Sequence, residues 1–191
     1  MNRANVKGFT LIELLVTLLV MGLVLGIGVP TFNEFIATNR MSAAVNDLVT
    51  SLHLARGEAV KRRANVTVCP SANWQDADPD CDSSSTLAEG WVLFVDCDGA
   101  TPPPDGACGQ PNGVIDTNDI VLQAHGPMGS QIASRFDTDA TGTQFISFGP
   151  TGFPRNLANG DSPAFNFELC DERGNHDTGG GIAAGRWVQI T

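Results

Sequence analysis

Lys7-Gly8-Phe9-Thr10-Leu11-Ile12-Glu13 opens the stretch whose reading decides the fold. From Phe9 to Val29 the chain runs FTLIELLVTLLVMGLVLGIGV, apolar but for the single charge of Glu13. As an α-helix this stretch spans roughly 31 Å, the thickness of a bilayer core. Arg3 and Lys7 are the charges ahead of it, and a basic flank on that side places the N-terminus in the cytoplasm and the rest of the chain outside. The rival reading is a secretory signal, because Gly26-Ile27-Gly28 offers a small-x-small cleavage site. Against it, the apolar stretch of such a signal is roughly 7 to 15 residues long and has no carboxylate within it. Glu13 costs on the order of 2.5 to 3.5 kcal/mol inside a membrane helix. Either it snorkels to the nearby interface or it serves a partner.

Helical periodicity continues past the apolar stretch. Phe32, Phe35, Ile36, Ala44, Leu48, Leu52, Ala55 and Ala59 recur mostly at three- and four-residue spacing, which predicts one helix to about Arg63 with Pro30 as a place for a kink. Lys61, Arg62 and Arg63 close it as cations at the negative end of the helix dipole; a nucleic-acid patch is the other reading of three adjacent cations. After Ala64 the pattern changes to short strand-like runs separated by turn residues. These are Val66 to Cys69, Trp91 to Val95, Ile120 to Gln123, Gln144 to Phe148, Ala164 to Leu169 and Arg186 to Ile190. Phe165, Phe167 and Leu169 alternate with Asn166 and Glu168, as in a sheet with one wet face. The expected fold class is therefore α+β, a long N-terminal helix packed on an antiparallel β-sheet head.

Charge and cysteine content locate that head. Residues 1–63 hold seven Lys/Arg and four Asp/Glu, whereas residues 64–191 hold four and seventeen. An acidic head repels phosphate backbones, so nucleic acid is not an expected partner. Cys69, Cys81, Cys97, Cys108 and Cys170 all lie beyond the apolar segment and form no C-x-x-C pair, which disfavours a metal knuckle. Spacings of 12 and 11 within the first two pairs, in loops rich in Asp, Ser, Gly and Pro, suit disulfides Cys69–Cys81 and Cys97–Cys108 in an oxidising compartment. Reduced thiols are the alternative.

The string from Lys7 to Glu13 followed by an apolar run resembles the leader and first helix of type IV pilins and type II secretion pseudopilins. That resemblance implies a leader of residues 1–8, cleavage between Gly8 and Phe9 by a membrane-embedded prepilin peptidase, and methylation of the new N-terminal Phe9. It also implies that Glu13 is an assembly carboxylate. Residues 9–29 would then be the membrane and filament-core helix, 30–63 its amphipathic continuation, and 64–191 a periplasmic β-rich head. Asn46-Asp47-Leu48, Ala55-Arg56-Gly57-Glu58-Ala59, Gly90-Trp91-Val92-Leu93-Phe94-Val95-Asp96, Ile120-Val121-Leu122 and Gly185-Arg186 are similar to the GspH/FimT branch. The resemblance implies a minor pilin or pseudopilin that assembles into or primes a type IV pilus or a type II secretion pseudopilus. It would start in the inner membrane with other pilins as partners through the N-terminal helix.

Nothing in the sequence points to catalysis: there is no G-x-S-x-G, H-E-x-x-H or Walker loop, and His53, His125 and His176 are far apart in sequence. An enzyme is not expected, nor is a cofactor. Asp96, Asp98, Asp105, Asp116, Asn118 and Asp119 crowd one region, and their oxygens would suit Ca²⁺. A solvated acidic loop is the plainer reading, since the EF-hand spacing is missing. Some members of the resembled branch bind DNA during transformation through a C-terminal G-R-x-R or G-R-x-K element. Gly185-Arg186-Trp187-Val188 keeps Arg186 as a candidate DNA contact but has Val188 where the second cation belongs.

Overall fold

The computed structural model describes residues 8–97, 111–129, 131–136, 145–156, 165–174 and 185–190. The apolar periodicity produces one helix, α1 (Leu11–Arg62), 52 residues long and unbroken at position 30. The chain divides into two compact units between Arg40 and Met41. In the first unit the large apolar side chains of α1, from Leu11 to Phe35, are exposed. In the second, Met41, Ala44, Leu48, Leu52, Ala55 and Ala59 are buried, one helical face whose alternation of large and small side chains interdigitates with a sheet.

α1 ends in a Schellman arrangement. Arg63 adopts a left-handed φ of 54° and the Ala64 N–H donates to the Ala59 carbonyl at 3.2 Å. Two of the three cations expected to meet the helix dipole turn to a carboxylate one turn back: Glu58 accepts from Lys61 at 3.0 Å and from Arg62 at 2.6 Å. Arg62 first and Lys61 second hold the Glu58 carboxyl below its usual range.

Eight strands follow among the described residues: β1 (Val66–Pro70), β2 (Trp91–Val95), β3 (Ile120–His125), β4 (Ile132–Phe136), β5 (Ile146–Phe148), β6 (Pro154–Arg155), β7 (Phe165–Asp171) and β8 (Arg186–Ile190). They form two antiparallel sheets, one ordered β3-β2-β1-β5-β6 and one ordered β4-β7-β8. The six expected strands are present. β4 and β6 are additional, and the reason is local. In β4, Ser134 stands opposite the buried Leu169 and its hydroxyl accepts from the Ala88 N–H at 3.1 Å, so a polar residue at a core-side position hides the alternation. β6 is two residues long and begins with proline.

β1 and β2 are buried at every position. Val66, Val68, Leu93 and Val95 join the helix face in the main core, while Cys69, Val92 and Phe94 form a second cluster with Trp74, Cys81, Ile115 and Phe145 packed against it. Both faces of the β1–β2 pair are therefore dry, unlike β7, where Phe167 and Leu169 are buried and their neighbours are not. The cover over the outer face is stapled on by the Cys69–Cys81 disulfide. It also depends on Gly90, at φ +135°, where a Cβ would lie 2.7 Å from Trp74 Cδ1.

A second staple is Asp96, buried just past β2. Its carboxylate accepts from the Asn112 N–H at 2.9 Å, the Gly113 N–H at 3.0 Å and the Thr67 hydroxyl at 2.7 Å, which ties residues 111–119 to the sheet. Burial pushes the Asp96 carboxyl up, opposed by these bonds. Asp119 repeats the device, accepting from the Cys97 and Asp116 N–H groups at 3.0 Å each.

Asp96→Asn is expected to destabilise the protein by about 1 to 3 kcal/mol, because the amide nitrogen cannot accept the bonds its oxygen received; urea denaturation of the full chain in detergent measures it. The raised Asp96 value means the folded state holds that proton more tightly than the unfolded one. Stability should fall as pH rises from the ordinary aspartate value through the raised one, and the Asn variant should lack that slope. Cys97 is also disulfide-bonded, and its expected partner Cys108 lies outside the described residues. Non-reduced peptide mapping should return Cys69–Cys81 and Cys97–Cys108, with a Cys97–Cys170 peptide overturning the second; Cys69→Ser with Cys81→Ser should cost about 3 kcal/mol in the chain-entropy model.

Candidate assembly site

Gly8, Phe9 and Thr10 precede α1 as exposed, non-helical backbone, so the peptide bond between Gly8 and Phe9 lies in chain that an enzyme can enter. Thr10 is the N-cap. Its hydroxyl accepts from the Glu13 N–H at 3.3 Å, while Glu13 Oε2 accepts from the Thr10 N–H and from the Thr10 hydroxyl, each at 2.9 Å. This is a capping box. The T-x-x-E spacing of Thr10 and Glu13 is the local sequence signal for it. The carboxylate thus meets part of its hydrogen-bonding need one turn away, at the end of the helix where the dipole is positive. Both bonds fall on Oε2, and Oε1 is the acceptor an approaching cation can use.

Beyond Glu13 the helix satisfies its own polar groups. Thr17 donates its hydroxyl to the Leu14 carbonyl at 2.9 Å and Thr31 to the Ile27 carbonyl at 3.1 Å. What remains is an exposed apolar surface from Leu11 to Val29, long and apolar enough to cross a membrane.

The other candidate residues lie in the head. Cys69 and Cys81 are bonded to each other and Cys170 is a free, half-buried thiol; burial pushes that thiol up, with the Glu168 carboxylate adding to it. Of the acidic residues considered for Ca²⁺, Asp96, Asp116 and Asp119 accept hydrogen bonds from protein groups, while Asp98 and Asp105 lie outside the described residues. Among the described residues no cluster of three or more His, Cys, Asp or Glu is placed to hold a metal ion. Arg186 is half-buried on β8 and donates to its neighbour, the Gly185 carbonyl, at 3.3 Å. His125 stacks on Trp91 with ring centroids 4.0 Å apart, His53 is exposed on α1, and His176 lies outside the described residues.

Comparison with known proteins agrees with this geometry. Residues 3–29 match the prokaryotic N-terminal methylation motif, and residues 44–186 match the family described as type II transport protein GspH. A fimbrial protein of Dichelobacter nodosus is 29% identical over 107 residues, which cover 56% of this chain and 62% of that protein. The crystal structure of the type IV minor pilin FimU of Pseudomonas aeruginosa (strain PAO1) is 18% identical, covers 82% of this chain and 86% of that one, and superposes with a TM-score of 0.48. The methylation motif coincides with the capped, exposed apolar helix, and the GspH match takes in the buried half of α1 and β1 through β7: the chain belongs to the GspH family of type IV pilin-like proteins, anchored to a membrane by its N-terminal helix.

Proposed function

We propose that the chain is a minor pilin or pseudopilin that primes or joins a type IV pilus or a type II secretion pseudopilus. A prepilin peptidase removes residues 1–8, and the new N-terminal Phe9 is methylated. Before assembly the subunit sits in the bacterial inner membrane with its head in the periplasm. No cofactor enters this role. The observation that carries the reading is the exposed apolar surface from Leu11 to Val29 with one carboxylate at its start. In lipid that surface is already solvated, so packing against neighbouring pilin helices must be steered by something directional. Glu13 supplies it: capped through Oε2, it still holds a charge that the amine of a processed N-terminus neutralises, and pairing with a neighbour's amine would set the axial register between adjacent helices. The family is described as a type II transport protein and the Dichelobacter nodosus relative as fimbrial, so both filaments stand within this reading. DNA uptake, the rival role, rests on Arg186 alone, without a second cation at Val188.

Three measurements test this. The intact mass of envelope-extracted protein should correspond to a chain that starts at methylated Phe9; a start after Gly28 would replace the filament reading with soluble export. Glu13→Val should leave the subunit processed and in the inner membrane but absent from sheared filaments or from the secretion complex, and wild-type incorporation of that variant would sink the assembly role. Thr10→Val removes only the hydroxyl half of the cap, a loss of about 0.5 to 2 kcal/mol of helix stability. It should incorporate nearly normally, whereas a defect equal to that of Glu13→Val would make capping, rather than charge, the function of Glu13.

A further inference from the structure

The cations at the end of α1 have no part in the filament reading, and the tertiary structure adds to them. The turn between β5 and β6 packs on the last turns of the helix so closely that a Cβ at Gly152 would lie 2.9 Å from Val60 Cγ2 and 3.5 Å from Arg56 Nε. The same turn brings in Arg155, whose guanidinium donates to Asn65 Oδ1 at 3.4 Å. Arg56, Lys61, Arg62, Arg63 and Arg155 thus gather at one end of an acidic head, where Glu58 accepts from Lys61 and Arg62.

Beside this basic end lies a cleft of about 190 Å³ between α1 and β8. Leu52, Phe148, Val188 and Ile190 make its floor, and Arg56 and His53, both exposed, stand on its rim. Three successive residues, Val188 to Ile190, line it, which happens when a strand presents its backbone edge. Among the described residues β8 pairs only with β7, and no other described strand lies along its second edge. A volume of this size takes one aliphatic or aromatic side chain.

We propose that this cleft receives an extended segment of a neighbouring filament subunit, laid along the second edge of β8, with one apolar side chain in the cleft and carboxylates against Arg56 and the basic helix end. Strand addition supplies backbone hydrogen bonds, the pocket selects the apolar side chain, and the cations select an acidic flank. The proposal rests on the filament reading for the source of the segment. Charge complementarity fixes its chemistry, because a basic end on an otherwise acidic head attracts an acidic peptide.

The test uses the full chain in phosphatidylcholine nanodiscs and fluorescein-labelled hexapeptides, read by anisotropy. The peptide Ser-Val-Leu-Thr-Glu-Glu should bind at least tenfold more tightly than Ser-Val-Leu-Thr-Lys-Lys or Ser-Ser-Ser-Thr-Glu-Glu. Arg56→Glu should reverse the preference between the Glu and Lys peptides. Val49→Trp, at a half-buried position lining the cleft, should fill it and weaken the acidic peptide at least tenfold with an unchanged melting temperature. Equal binding of the Glu and Lys peptides, no binding at millimolar concentration, indifference to both substitutions, or saturation by decanoate without peptide binding would each overturn the proposal. Purified subunit is used throughout, so a negative result here is separable from failure of the filament reading, which Glu13→Val decides in cells.

Discussion

The contact on which the head depends is the one between the inner face of α1 and β1. Met41, Leu48, Leu52, Ala55 and Ala59 meet Val66, Val68, Leu93 and Phe148 in a single core. The Schellman end of the helix makes this contact possible, because Arg63 in a left-handed conformation reverses the chain so that β1 begins at Val66, back against the helix it has just left. A non-glycine residue there costs on the order of 1 kcal/mol relative to glycine, and the Ala64 to Ala59 hydrogen bond offsets part of it.

The outer face of the first sheet needs a different solution, since no helix covers it among the described residues. Loops do so, and loops carry polar backbone that must be satisfied where it is buried. Asp96 and Asp119 accept four backbone N–H groups between them, and the Cys69–Cys81 disulfide holds the Trp74 segment over Val92 and Phe94. Acidic residues that suggest a cation site in the sequence are in part the acceptors for a loop cover. The strongly acidic composition of the head is therefore partly a structural feature rather than a functional one.

The N-terminal segment obeys other rules. Its side chains from Leu11 to Val29 are exposed, and its hydroxyls and its one carboxylate turn back on their own helix. That is the behaviour expected of a segment whose surroundings are lipid or other helices, in which every polar group needs an acceptor or donor within reach. Glu13 combines two demands at one position: a cap for the helix and a charge that remains to be neutralised.

By itself the sequence determined the class: the apolar run with Glu13, the continuing three- and four-residue spacing to Ala59, the six strand-like runs and the cysteine spacing at 69 and 81 are all local signals, and local geometry carries them. It also contained the capping box, in Thr10-Leu11-Ile12-Glu13. Only the tertiary structure decided that the strands divide between two sheets, that β4 exists around an inward Ser134, that Asp96 is a buried acceptor, and that the Gly152 turn packs on Arg56, which lines a cleft at β8. Each of these depends on partners from 16 to more than 100 residues away in the chain, and no periodicity within a segment encodes such pairings.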